Sequence, residues 1–275
     1  MALKSYKPTT PGRRFASVVN TSHLSKKRPE KSLRRPLAGN AGRNNQGKIT
    51  LRHRGGRSKR YYRVVDFRQD RYDQPAVVSA LEYDPNRSAH IALIQFSDGE
   101  KRYILAPHGL AVGESVISSK AKVDVRTGNR MPLAFIPTGL FIHNIELQPS
   151  SGGKFVRSAG QQATLMTIEG DYAQVKMPSG EIRLFPKLAT ASIGQMSNIE
   201  HGNIRLGKAG RTRWKGIRPT VRGKAMNPVD HPHGGGEGVN PIGLKHPKTS
   251  WGKRAYGVKT RRSKPSDRLI IKRRK

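Results

Sequence analysis

The sequence predicts a mostly β protein: two small antiparallel β domains in the middle of the chain, flanked by long basic ends without regular structure. Three observations predict it. Short β-rich runs separated by tight-turn residues occupy residues 48–200. Glycine and proline without helical or strand periodicity occupy the two ends. The charge divides at nearly the same places. Residues 1–60 hold 17 basic and 1 acidic residue, residues 61–200 hold 15 and 14, and residues 201–275 hold 21 and 3. The reading is therefore a basic N-terminal extension over 1–47, a first barrel over 48–125, a second β domain over 126–200 and a basic C-terminal extension over 201–275.

Prolines 8, 11, 29 and 36 and glycines 12, 39, 42, 47, 55 and 56 punctuate the N-terminal segment. Such a stretch buries too little apolar surface to offset its ordering entropy, so an extended arm that orders on binding is expected. Strands are expected at Ile49-Thr50-Leu51, Tyr61–Phe67, Ala76–Tyr83 and Ile91–Phe96, and an Asp98-Gly99 turn leads into another at Lys101–Leu105. Five short strands without a clear helix suggest a small antiparallel barrel. Gly113–Arg130 carries no strong strand, which places the boundary near residue 125. The second run begins at Gly139–Leu147 and continues through Ala163–Ile168, Tyr172–Met177 and Glu181–Phe185, with turns at Glu169-Gly170-Asp171 and Pro178-Ser179-Gly180. Within it Ala173, Val175 and Met177 share one face, and Tyr172, Gln174 and Lys176 the other, the alternation of a half-buried meander. Beyond residue 200 regular structure is expected to fade.

The formal net charge is +35. A free globular protein so charged repels itself, and a polyanion resolves that. Nucleic acid is the leading candidate because its phosphates repeat closely, whereas an anionic membrane is disfavoured because the basic segments are not amphipathic helices. A general nucleic-acid compaction protein is a further alternative, and the near-neutral middle argues against it. The chain has no cysteine, which excludes disulfides, cysteine nucleophiles and thiolate metal sites and fits a reducing compartment. The N-terminus lacks the apolar core of a signal peptide and no apolar run reaches membrane-spanning length, so a cytosolic protein is expected.

Arginine outnumbers lysine, 30 to 23. Its rigid fork matches phosphates and its plane stacks on bases. Arg54-Gly55-Gly56-Arg57 places two arginines around glycines that permit close backbone approach. Arg211-Thr212-Arg213-Trp214 sets an aromatic among cations, and Trp251 lies in a similar stretch. Each indole either stacks on bases or packs back onto the second β domain. Gly42–Lys48 resembles a nucleotide phosphate loop, but Ile49 stands where a magnesium-ligating hydroxyl is needed, which excludes a nucleotide triphosphatase. Met226–Gly238 gathers His231, His233, Asp230, Glu237 and a glycine run. One reading is catalytic or metal-binding, with the carboxylates orienting a histidine. The favoured reading is a rigid loop whose imidazoles donate hydrogen bonds to RNA, because His-Pro-His is a poor metal clamp and no nucleophile motif occurs.

Several motifs carry a family resemblance. Val221–Gly238 closely resembles the signature of the large-subunit ribosomal protein two family, and Gly42–Asn45, Tyr62–Phe67, Leu81–Ala89, Arg102–Pro107, Gly152-Gly153 and Arg157–Gly160 extend the match in order along nearly the whole chain. The spelling is similar to the bacterial form. The resemblance implies an oligonucleotide-binding-type barrel followed by an SH3-like barrel. It implies a structural, non-enzymatic constituent of the large ribosomal subunit in the cytoplasm. Its implied partners are large-subunit rRNA, small-subunit rRNA at the subunit interface and neighbouring ribosomal proteins, with no membrane. The implied roles are primary rRNA binding, assembly, subunit association, tRNA binding and peptide-bond formation. No cofactor or protein-held metal is implied, and Mg²⁺ belongs to the RNA environment. Arg87 and Arg157 match the family's RNA-binding arginines, and His231 matches its disputed catalytic histidine. With these, Arg54, Arg57, Arg211, Arg213, Trp214, Arg222 and His233 form the expected RNA-binding set.

Overall fold

The computed structural model describes residues 3–237 and 241–274. The chain divides into two units, one comprising residues 1–38, 59–209 and 268–275 and the other residues 39–58 and 210–267.

The first unit contains both β domains. In the first of them, strands run in the order Lys101–Leu105, Ile91–Phe96, Ala76–Glu82 and Ser115–Val116, all antiparallel. Their Val, Ile and Leu content suits a pleated, buried surface. Ala76, Val78, Ala92, Ile94 and Ile104 fill one core, while Ile91, Leu93 and Tyr103 fill another with Val65. Gly99 turns at φ +83°, the left-handed value that the Asp98-Gly99 hairpin requires. Only Tyr61–Arg63 of the expected Tyr61–Phe67 strand forms, because Val65 then leaves to bridge Tyr103 in parallel and Asp66 N–H donates to the Tyr103 carbonyl. That bridge curls the sheet edge.

The second β domain is a curled sheet ordered Ile270–Lys272, Ile182–Pro186, Tyr172–Lys176, Ala163–Glu169, Phe141–His143, Thr190–Ile193 and Arg130–Pro132. Ala173 and Val175 are fully buried and Met177 packs against the same core, while Tyr172 and Lys176 face solvent, as the alternation predicts. The expected Gly139–Leu147 strand is broken in two at Asn144, whose φ of +49° turns the chain from one pairing to another. Ile145–Glu146 then pairs with Gly153–Phe155.

The ends depart from the irregular arms expected. Leu3–Ser5 pairs with Ser17–Val19, and Leu24 is buried. Ser25 N–H donates to the Leu81 carbonyl and Glu30 N–H to the Tyr103 hydroxyl. These contacts tie the N-terminal segment to the first barrel. At the other end Ile270–Lys272 returns to pair with Ile182–Pro186, and Ala209–Trp214 is a short helix.

The second unit joins parts of both ends. Ile49-Thr50-Leu51 is not a strand within it. Ile49 makes an isolated bridge with Arg43, and Ile49 and Leu51 are exposed, because the surrounding glycine turns hold the segment as a loop. Arg54 bridges Ile217, Gly55 N–H donates to the Gly216 carbonyl, and Arg218 N–H donates to the His53 carbonyl. Among the described residues, none of this unit's hydrophobic side chains belongs to the buried core. Nor, among the described residues, is any helix long and apolar enough to cross a membrane.

Candidate nucleic-acid interface

Two loops of the first unit converge on one aromatic ring. The Arg87 guanidinium lies 5.6 Å from the Phe67 ring centre and that of Arg157 lies 4.5 Å from it. Arg87 is held from below: its Nε donates to Oδ2 of Asp84 at 2.6 Å, and Asp84 is fully buried. Ser88 stitches the loops together. Its Oγ accepts the Ala159 N–H at 3.0 Å and its carbonyl accepts Asn198 Nδ2 at 2.6 Å. Arg157 Nη1 donates to the Gly153 carbonyl, and Gly153 N–H donates to the Phe67 carbonyl at 2.9 Å. Burial, then the neighbouring Arg87 charge, pulls the Arg157 guanidinium below its ordinary pKa. Arg87 is matched by Asp84, so Arg157, which has no ion pair among the described residues, is the charge beside the ring that favours an added anion.

Gly153 cannot be another residue here. An added Cβ would lie 2.0 Å from Oδ1 of Asn144. The loop before it is set by a buried carboxylate. Glu146 accepts N–H bonds from Ser150, Gly152 and Thr190 at 2.9–3.2 Å and pairs with Arg130 at 3.3 Å, and both side chains are buried. A cleft of about 780 Å³ opens beside Phe67, with Leu33 and Val64 on its apolar wall and Arg68, Lys154 and Arg157 among its cations. Arg102 also lines it, but Asp66, Asp70 and Glu100 neutralise that guanidinium. Lys154 and Arg157 add cations that, among the described residues, form no ion pair, so this wall presents positive charge to a ligand.

The second unit is more basic, with 19 Lys and Arg against 3 Asp and Glu. Ser58 N–H donates to the Trp214 carbonyl, and an added Cβ on Gly216 would lie 2.9 Å from the Arg57 side chain. Arg54 and Arg57 from one end of the sequence therefore stand beside Arg213 and Trp214 from the other. Trp214 is 59% exposed and Trp251 76%, so neither indole is packed into a core.

The histidine loop is built on glycines. His231 packs on Gly223, where an added Cβ would lie 2.5 Å from the ring, and a Cβ on Gly234 would lie 2.3 Å from the Asn227 carbonyl oxygen. His231 Nδ1 accepts the His233 N–H at 3.0 Å, and His233 Nε2 accepts the Lys248 N–H at 2.8 Å. With Nδ1 accepting that N–H, the His231 Nε2 is left to face a ligand. Among the described residues neither Asp230 nor Glu237 hydrogen-bonds to either imidazole, and no His, Asp and Glu cluster suited to a metal occurs. Gly238 of this motif lies outside the described residues.

Two family models match the chain. The RNA-binding N-terminal domain of Ribosomal Proteins L2 matches residues 30–118 and the C-terminal domain of Ribosomal Proteins L2 matches residues 126–252. The chain belongs to the Ribosomal Proteins L2 family. It is thus a large-subunit ribosomal protein that binds RNA, and its curled sheets are the oligonucleotide-binding-type and SH3-like barrels of that family.

With the L2 assignment in place, the expected site residues fall into three groups. Arg87 and Arg157 meet at Phe67. Arg54, Arg57, Arg213 and Trp214 meet across the two joined segments, with Arg211 on the same short helix as Trp214. His231 and His233 form the third, their rings 4.8 Å apart, with Arg222 one residue before the Gly223 that supports them. Sequence reasoning missed Phe67 as the shared platform and Glu146 as the brace of the Gly152–Arg157 loop. A lone carboxylate between Ile145 and Leu147 was the available signal for the brace.

Proposed function

We propose that this chain of the L2 family is a primary binder of large-subunit rRNA whose first docking surface is the Phe67 platform with Arg87 and Arg157. The observation that carries it is the convergence of two guanidiniums from different barrels on one ring beside a cation-walled cleft. Paired cations on an aromatic face suit a backbone phosphate and a stacked base together. The second unit then supplies most of the counterion release, since its cations have few acidic partners.

From this position the chain supports subunit assembly, association of the two subunits through small-subunit rRNA, tRNA binding and peptide-bond formation, beside neighbouring ribosomal proteins in the cytoplasm. The family resemblance supports these roles. The chain acts without a cofactor of its own and without a membrane, Mg²⁺ being part of the RNA. It acts as a structural protein rather than an enzyme, and His231, the family's disputed catalytic candidate, shapes the loop by accepting the His233 N–H. Substituting His231→Gln is expected to leave the chemical rate of peptide-bond formation in reconstituted subunits unchanged, and a slowed chemical step at normal assembly would reverse that assignment.

The direct test is binding of an rRNA fragment by Arg157→Ala. The expected loss is roughly 1–3 kcal/mol, the worth of one charge-assisted hydrogen bond. Unchanged affinity removes Arg157 from the site. Arg87→Ala is expected to lose affinity and stability together, because it leaves the buried Asp84 charge with Arg63 at 3.8 Å as its cation and only the Asn86 N–H donors besides.

A further inference from the structure

Trp251 is one of the most exposed large side chains of the basic unit, and it stands in a structured turn among cations. Residues Pro247–Ala255 form a small hairpin: Lys248 bridges Arg254, Ala255 N–H donates to the Pro247 carbonyl, and Thr249 N–H donates to the Lys253 carbonyl. Gly252 N–H closes the turn on the Thr249 carbonyl, and its φ of +76° supplies the left-handed residue of a three-residue hairpin loop. Trp251 is in that loop, 76% exposed.

The hairpin is fixed in place. Lys248 N–H donates to His233 Nε2, and Arg52, from the N-terminal segment, donates through Nη2 to Ser250 Oγ at 3.0 Å. The same guanidinium lies 5.6 Å from the Trp251 ring centre. Lys248, Lys253 and Arg254 are further cations of the hairpin itself, and Lys253 and Arg254 are exposed. A large apolar ring is thus placed in water by these contacts, with a cation near its ring and three more nearby. That combination is the chemistry of a base-stacking platform: the ring takes the base and the cations take the flanking phosphates. A neutral or basic protein surface would not gain from the surrounding positive charge, whereas a polyanion with exposed bases uses both the charge and the ring.

We propose that the Trp251 hairpin binds an unpaired RNA base by stacking, with Arg52 as the residue that orients the indole. The site goes beyond the Phe67 platform and does not depend on it. It also explains why the N-terminal segment must reach this loop: Arg52 completes the site.

The full-length chain has two tryptophans, so a Trp214→Phe chain leaves Trp251 as the reporting indole. Titration with a single-stranded RNA of about eight nucleotides is expected to quench its fluorescence, and the same strand with abasic positions to leave it bright. Trp251→Ala is expected to weaken affinity for the base-bearing strand roughly five- to hundredfold, with Trp251→Phe recovering most of it. Equal quenching by the abasic strand, or Trp251→Ala binding within about twofold of its parent, overturns the proposal. An indole that instead docks on a neighbouring protein gives that second result. Arg157→Ala measured alongside separates the two sites: loss at Arg157 without loss at Trp251 keeps the cleft and removes this platform.

Discussion

The barrels and the basic unit solve the problem of charge in opposite ways. In the barrels, cations are matched to carboxylates and even buried: Arg130 with Glu146, Arg87 with Asp84, Arg102 with three acidic partners. Their fold rests on closed hydrophobic cores such as Met131, Ile142, Leu165, Val175 and Phe185. The unit made of 39–58 and 210–267 has 19 cations against 3 acids, and among its described residues no hydrophobic side chain reaches the buried core. Backbone bridges and glycine turns give it shape, but little burial stabilises that shape. The difference teaches where folding ends and binding begins. The barrels carry their own stability and a few placed arginines. The basic unit, with so little burial, is expected to be held in shape by a polyanion.

Substitutions should separate the two regions. The largest effect belongs to Glu146→Ala. Removing one partner of a buried pair costs about 3–5 kcal/mol, and it also frees the Ser150 and Gly152 N–H groups that set the loop before Arg157. Denaturant unfolding should show that loss, and RNA affinity should fall with it. An unfolding midpoint equal to the parent's would mean that the pair does not brace the barrel.

Acid should act on the barrels next. Burial holds His90 and His143 at a pKa of about 4, with the His143 Nδ1–H given to the Gly194 carbonyl. Each binds its proton more weakly folded than unfolded, so stability is full above about pH 6.5 and is lost as pH falls toward 4. The loss is of the order of 3 kcal/mol for each imidazole. Stability that stays flat over that range in His143→Gln but not in His90→Gln would assign the effect to His143 alone.

The smallest single effects should come from the basic unit. Replacing Arg54 or Arg213 with Gln is expected to leave barrel stability unchanged. It should also lower the slope of log affinity against log salt by about 0.7–0.9 for each phosphate no longer neutralised. A changed unfolding midpoint with an unchanged slope would invert the comparison.

Much of this division was legible in the sequence because it is local. Charge counts marked the neutral middle. Asp98-Gly99 and Pro178-Ser179-Gly180 marked hairpins, and the alternation of Ala173 and Val175 marked a buried face that is indeed buried. What stayed hidden depends on pairings between residues far apart in the chain. Ile49–Leu51 has strand composition, yet glycine turns keep it a loop, and Ile270–Lys272 completes a sheet begun more than a hundred residues earlier. Phe67 reads as one more strand aromatic until Arg87 and Arg157 meet on it. Arg54 and Trp214 read as belonging to two separate arms until the bridge from Arg54 to Ile217 joins them.

Amide hydrogen exchange on the full-length chain, free and bound to a large-subunit rRNA fragment, tests the central claim most directly. Exchange in the barrel strands is predicted to be slow in both states, and exchange in 39–58 and 210–267 to be fast in the free chain and to slow on binding. Exchange in the free basic unit as slow as in Ile91–Phe96 and Tyr172–Lys176 would contradict it.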